Sequence, residues 1–308
     1  MSRGDRNLCL RTFLSAAVVP MLAVVLVSGG WAALVPPDRR PPSRPTIDGQ
    51  KQPTILRPVF TFGATDNRTP RGKIRFRCAF DGAPLRPCAR IHRPNDRLSF
   101  GSHTLRVRAV DLAGNGSRVA SFSFRVVGSW DAAADFERAP RPANPGRDRY
   151  GNTSWFYLYG GRTHDPATYN LLPTFSVLAP NWEVWLLLAN FQSASVGFNN
   201  GQMILHPGPP QPGQTAILGW RSPLAATVRV QGAISVVGPP CAVPANGISW
   251  SLDKGAETVR PGLLDPGAVA NVEQTLTVAA AESLYLIVDD RQDSNCDSTL
   301  VRFIIETT

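Results

Sequence analysis

Between Met203 and Ile305 the chain keeps repeating one pattern: a short apolar–polar alternation, a turn, then another alternation. The segments are MILHPGP, TAILGW, ATVRVQGAISVV, GISWSLDKG, QTLTVAA, SLYLIVDD and LVRFIIE. Successive side chains of a strand point to opposite sides, so residues such as Val228, Val230 and Ile234 share one face that can be buried. Many short strands of this kind satisfy their inner faces by closing two sheets on each other. With 26 Gly and 28 Pro in 308 residues, turns are plentiful and long helices disfavoured. The expected fold class is all-β, with two sandwiches behind an N-terminal signal or anchor helix.

The N-terminal end is different in kind. Arg3, Arg6 and Arg11 precede an apolar run, residues 12–35, without a single charge. A basic flank before such a run marks an export signal, and the run is long enough to span a bilayer if left uncut. Residues 1–35 are therefore read as a signal peptide or membrane anchor. Cys9 precedes the apolar run, so it is not placed for lipid attachment. Residues 36–53 are Pro-rich and basic, and read as a semi-rigid linker. The expected location is extracytoplasmic, secreted or held at the cell surface. Export separates the chain from nucleic acid, and the membrane becomes a partner if the leader stays.

Residues 54–127 contain four alternating segments, VFTFGATD, KIRFRCAF, HTLRVRAVD and VASFSFRVV. In KIRFRCAF, Ile74, Phe76, Cys78 and Phe80 share one face and Arg75 and Arg77 the other. Cys78, Cys88, Cys241 and Cys296 make an even set, which in an exported chain reads as two disulfides. Three pairings are open, and sequence proximity favours Cys78–Cys88, leaving Cys241–Cys296. The loop CAFDGAPLRPC and the hairpin around Gly101, His103, Val107, Ala109, Asp111, Ala113, Gly114 and Asn115 resemble bacterial Ig-like repeats of surface proteins. That resemblance implies a β-sandwich serving as spacer or adhesion module.

Residues 128–151 mix charges with Pro and Gly, and read as a linker with a helical turn or two. Residues 152–308 form the second unit. Its Trp155, Tyr157, Tyr159, Gly160, the Phe198-Asn199-Asn200 segment, LHPGP at 205–209 and the Asp297-Ser298-Thr299 step resemble an uncharacterised bacterial jelly-roll-like domain of secreted proteins. The resemblance implies a β-sandwich and no particular activity. Charge divides along the same boundary. Residues 36–127 hold 18 Lys/Arg against 6 Asp/Glu, whereas residues 152–308 hold 7 against 12.

Two residue groups invite a ligand. Asp289, Asp290, Asp293, Asn295 and Asp297 offer oxygens for a calcium ion, with Asp293, Asn295 and Asp297 at alternate positions. The helix–loop–helix calcium pattern fails, since Ser298 stands where Gly is required and Ile304 where a bidentate Glu is required. Trp155, Tyr157, Tyr159 and Trp182 offer flat faces for stacking on a sugar ring, or else an inter-sheet packing row. Trp185 and Trp250 lie among aliphatic residues and belong in a core. The basic face of the first unit, including Arg71, Lys73, Arg75, Arg77, Arg106, Arg108 and Arg125, suits an anionic envelope polymer or a solvated sheet surface. HExxH, GxSxG and P-loop patterns are absent from the sequence.

These readings lead to a non-catalytic cell-envelope protein acting as adhesion, scaffold or binding module. The alternative is a carbohydrate-binding module using the C-terminal sandwich, and the less favoured reading a glycan-active enzyme. A cell-envelope polysaccharide or anionic polymer is the expected partner, and no cofactor is required beyond the calcium question.

Overall fold

Seven short strands build the first sandwich in a computed structural model that describes residues 36–138, 143–189, 193–209, 214–237 and 246–308. They are β1 (Thr46–Asp48), β2 (Phe60–Gly63), β3 (Arg75–Phe80), β4 (Arg86–Cys88), β5 (Ile91–His92), β6 (Gly101–Val110) and β7 (Ala120–Val126). One sheet runs β1-β2-β5 and the other β4-β3-β6-β7. The inward residues Phe60, Phe62, Phe76, Cys78, Leu105, Val107 and Phe124 enclose the core. Cys78 and Cys88 are joined across β3 and β4, as proximity suggested. The leader and the 1–35 anchor reading lie outside the described residues, as does Cys241. Cys296 is disulfide-bonded. Among the described residues no helix is long and apolar enough to cross a membrane.

The second sandwich begins earlier than residue 152. Its elements are β8 (Ser129–Asp131), α1 (Ala132–Arg138), β9 (Gly146–Arg147), β10 (Thr153–Gly160), β11 (Asn170–Leu171), β12 (Thr174–Ala179) and β13 (Trp182–Leu186). They continue with β14 (Ser195–Asn199), β15 (Gln202–His206), β16 (Thr215–Arg221), β17 (Ala226–Val236) and β18 (Ile248–Lys254). The last four are β19 (Glu257–Leu264), β20 (Val269–Val278), β21 (Ser283–Asp290) and β22 (Thr299–Thr307). One sheet has the order β11-β10-β16-β21-β18-β19, with β9 against β10. The other has the order β12-β13-β14-β15-β22-β17-β20, with β8 against β22. Between them lie Trp130, Trp155, Tyr157, Trp220, Leu286, Val301 and Phe303, all buried.

Two expected linkers are corrected by this arrangement. Residues 128–151 are laced into the second sandwich: Trp130 pairs with Ile305 across β8 and β22, and its ring is fully buried. Phe136 of α1 stacks on Phe198 at 5.8 Å between ring centres. Burying two such rings is worth roughly 1.5–3 kcal/mol each, enough to hold a charged, Pro-containing stretch against the sheet. Residues 40–53 are likewise part of the first sandwich. Ile47 pairs with Phe62, Arg125 N–H donates to the Lys51 carbonyl, and Val127 N–H donates to the Pro53 carbonyl. The prolines here flank an edge strand, where a missing donor costs nothing to the ladder. Leu56 and Phe100 pack against both cores, and residues Arg40–Thr308 form one compact unit.

Candidate functional site

Period-two alternation in β18 sends Ile248, Trp250 and Leu252 inward and leaves Ser249 and Ser251 on the outer face. The neighbouring strands extend that face in register. Leu263, Ser249 and Asp289 form one row across β19, β18 and β21; Pro261, Ser251 and Ile287 form the next. His164, from the loop after β10, closes one side. The result is a cleft of about 490 Å³ on the outer face of the seven-stranded sheet. Its floor is apolar at Ile287, Pro261 and Leu263, and its hydrogen-bonding groups come from Ser249, Ser251, Thr258, His164 and Asp289. Gly262 is essential to this edge of the sheet. A Cβ there would collide with the Trp250 indole, which occupies the inner side of the same strand pair.

The polar wall has a definite electrostatic order. His164 Nδ1 lies 3.1 Å from Asp253 Oδ2 and 3.3 Å from Ser251 Oγ. Its hydrogen bond to the buried Asp253 carboxylate raises the His164 pKa, against the opposing effect of burial. His164 also adopts φ 53°, a left-handed conformation that fixes the ring over β18. Asp289 is pushed up by burial, with the Arg162 guanidinium pulling the other way and neighbouring Asp290 adding to the rise. Arg162 pairs with Asp290 and stands 3.6 Å from Asp289 Oδ1. Serine, histidine and aspartate meet here, but Ser251 and Asp253 address the same imidazole nitrogen. A proton relay needs the carboxylate on one nitrogen and the hydroxyl on the other. The geometry is that of a hydrogen-bonding wall.

The aromatic row weighed for sugar stacking or for inter-sheet packing lies away from this cleft. Trp155 and Tyr157 are buried between the sheets, 0% and 2% exposed, so neither has a face open to a ligand. Trp155 Nε1 donates to Asp135 Oδ2 at 3.0 Å. Tyr159 is half-buried against the same core, and Trp182 is half-buried against Val184, Leu186 and Ile204. The packing alternative weighed for Trp155, Tyr157 and Tyr159 describes their position.

The acidic residues do not converge on one point. Asp289 and Asp290, at the end of β21, both face the Arg162 guanidinium, which already serves as their counter-charge. Asp293 Oδ1 accepts from Asn295 N–H at 3.0 Å and from its side-chain amide, so it is spent inside its own loop. Asp297 is fully buried, with neither carboxylate oxygen hydrogen-bonded. Burial, then the charges of Asp290 and Asp293, push it up to about 7. No three of the four carboxylates bring ligand atoms within 4.8 Å of one another. Sequence reading missed the cleft itself, because Ser249, Ser251 and His164 are ordinary until the register of three strands puts them side by side.

No family model matches the chain, and no curated protein matches it. Solved structures do. One, on the promiscuous specificity of carbohydrate-binding modules of the beta-sandwich superfamily, aligns with 87% of this chain and 97% of its own length at 10% identity and TM-score 0.30. Another, CBM51-2 in complex with GlcNAc and INT domains from Clostridium perfringens ZmpB, aligns with 85% of this chain and 48% of its own at 10% identity and TM-score 0.28. A point mutant of the family 29 carbohydrate-binding module CBM29-2 aligns with 50% of this chain and 90% of its own at 11% identity and TM-score 0.24. Each superposes loosely.

Proposed function

We propose that this is an exported, non-catalytic binding protein of the cell envelope whose C-terminal sandwich reads a neutral carbohydrate in the outer-face cleft. The observation that carries the reading is the lining of that cleft. Hydroxyls of Ser249, Ser251 and Thr258, the His164 ring and the Asp289 carboxylate surround an apolar floor. A pyranose presents the matching surface, with hydroxyls around its rim and C–H groups on its faces. The volume, about 490 Å³, falls in the range of small-ligand sites, roughly 300–1,000 Å³. The shared use of His164 Nδ1 favours binding over hydrolysis. On this reading the first sandwich is the Ig-like spacer, the second the jelly-roll-like reader, and the leader brings both outside the membrane.

The test is a panel of neutral oligosaccharides titrated calorimetrically against the protein and against Ser249→Tyr, which fills the cleft from a solvent-facing position. Saturable binding by the parent protein, lost in the variant with the far-UV spectrum unchanged, supports the reading. Absence of binding across the panel, or binding that survives Ser249→Tyr, refutes it.

A further inference from the structure

Where the two sandwiches meet, several arginines gather around two hollows. A cavity of about 300 Å³ is lined by Arg57, Arg97, Arg138 and Arg149 together with Ile55 and Tyr150. A second, of about 260 Å³, shares Arg97, Arg138, Arg149 and Tyr150 with the first and adds Arg147. Five guanidinium groups thus line two adjoining hollows.

Their partners within the protein leave most of that charge uncompensated. Arg57 Nε donates to the Pro94 carbonyl at 3.0 Å, Arg97 to the Tyr150 carbonyl at 3.0 Å, and Arg147 to the Gly151 carbonyl at 3.2 Å. Carbonyls orient a guanidinium without neutralising it. Among the described residues, Arg149 alone of the five stands near a carboxylate, 3.6 Å from Asp135 Oδ1, and its Nε has no hydrogen-bond acceptor. Arg138, at the end of α1, is exposed and makes no ion pair among the described residues. Asp148 lines the second hollow, but its carboxylate is buried and already accepts from Trp130, Tyr150, Asn152 and Ser154. Asp96 and Glu137 are exposed neighbours in sequence that line neither hollow.

The cleft is also held rigidly. The Tyr150 hydroxyl donates to the Thr54 carbonyl and accepts from Ser129 N–H, tying the segment between β1 and β2 to β8. Phe100, Trp130 and Tyr150 pack edge to face beneath it. Forked donors held apart on a fixed floor suit planar or tetrahedral oxyanions taken two at a time. A lone small anion would use one hollow; a pair of adjoining hollows fits successive charged groups on one chain.

We infer that this arginine cleft binds an acidic polymer through at least two neighbouring oxyanions, either carboxylates or phosphates. It is a different place from the neutral-sugar cleft and does not depend on it. The experiment uses the full chain with two probes, an oligogalacturonate for carboxylates and a short-chain polyphosphate for phosphates. Arg138→Gln/Arg147→Gln removes two charges from the cleft. Arg77→Gln/Arg108→Gln removes two from the outer face of β3 and β6, where these arginines lie opposite each other. Binding of either probe, weakened at least tenfold by the cleft variant and under threefold by the sheet variant, is the expected result. Equal losses, an unaffected cleft variant, or no binding of either probe by the parent protein overturn the proposal, the first by showing that net charge alone is responsible.

Discussion

The indole N–H of Trp130 donates to Asp148 Oδ2 at 2.8 Å, joining β8 to the turn that leads into β10. Asp148 is 5% exposed and also accepts from Tyr150 N–H, Asn152 N–H, the Asn152 amide and the Ser154 hydroxyl. One carboxylate thereby organises a turn that composition describes as linker. Replacing it by alanine orphans several buried donors at once. Asp148→Ala is expected to cost about 3–5 kcal/mol, read by urea denaturation, because donors left without an acceptor keep their full desolvation penalty. Asp148→Asn should cost less, since it preserves shape and one acceptor. Equal, small losses in both would show that the turn is held by the rings alone.

Asp297 makes a pH prediction with a definite sign. Its carboxyl is pushed up from 3.8 to about 7, so between those values the folded chain keeps a proton that the unfolded chain has released. Stability therefore falls as pH rises from about 4 to 7, by roughly 2–4 kcal/mol from this group. Asp135, raised to about 6 by burial, and Asp289 act in the same direction. The His164–Asp253 bond does too, since its contribution is present at low pH and lost as the raised imidazole pKa is passed. Asp297→Asn is expected to flatten the pH–stability curve and raise the thermal midpoint at pH 8. An unchanged curve would mean that Asp297 titrates normally.

Calcium should have little effect on the fold. No three of its four expected carboxylate ligands bring oxygens within 4.8 Å of one another, Asp289 and Asp290 already face Arg162, and Asp293 accepts from Asn295. Adding millimolar calcium, or removing it with a chelator, is expected to move the thermal midpoint by less than about 1 °C. A cation that binds the native state well above its dissociation constant would add several kcal/mol and raise it clearly.

The Cys78–Cys88 link closes a loop of ten residues of sequence separation in the smaller sandwich. Cys78→Ser/Cys88→Ser is expected to lose about 2–3 kcal/mol, since the unlinked chain regains conformational freedom on unfolding. Calorimetry should show the loss in the transition that disrupts the Phe60–Phe124 core.

Alternation made strands such as β17, β20 and β22 legible, because each has one face more exposed than the other. Val228 and Val230 point inward and Arg229 outward in the sequence and in the fold alike. Ser249 and Ser251 were not legible as a site. Their significance comes from lying beside Ile287 and Asp289 of a strand more than thirty residues away, and register is not written in either strand alone. Trp155 and Tyr157 left two readings open for a related reason. Alternating aromatics specify that one face is shared, but not whether that face looks toward solvent or toward a second sheet. Trp130 was passed over because its neighbours are charged and Pro-rich, while burial is decided by the partner strand β22.

Half of one edge of β22 is covered by β15 and the other half by β8, which comes from far earlier in the chain. A gene fragment opening at residue 152 would encode a sandwich with Ile304 to Glu306 bare along that edge, ready to recruit any extended peptide. The polypeptide that shields this edge thus lies upstream of the first tryptophan of the aromatic row, at Ser129–Asp131.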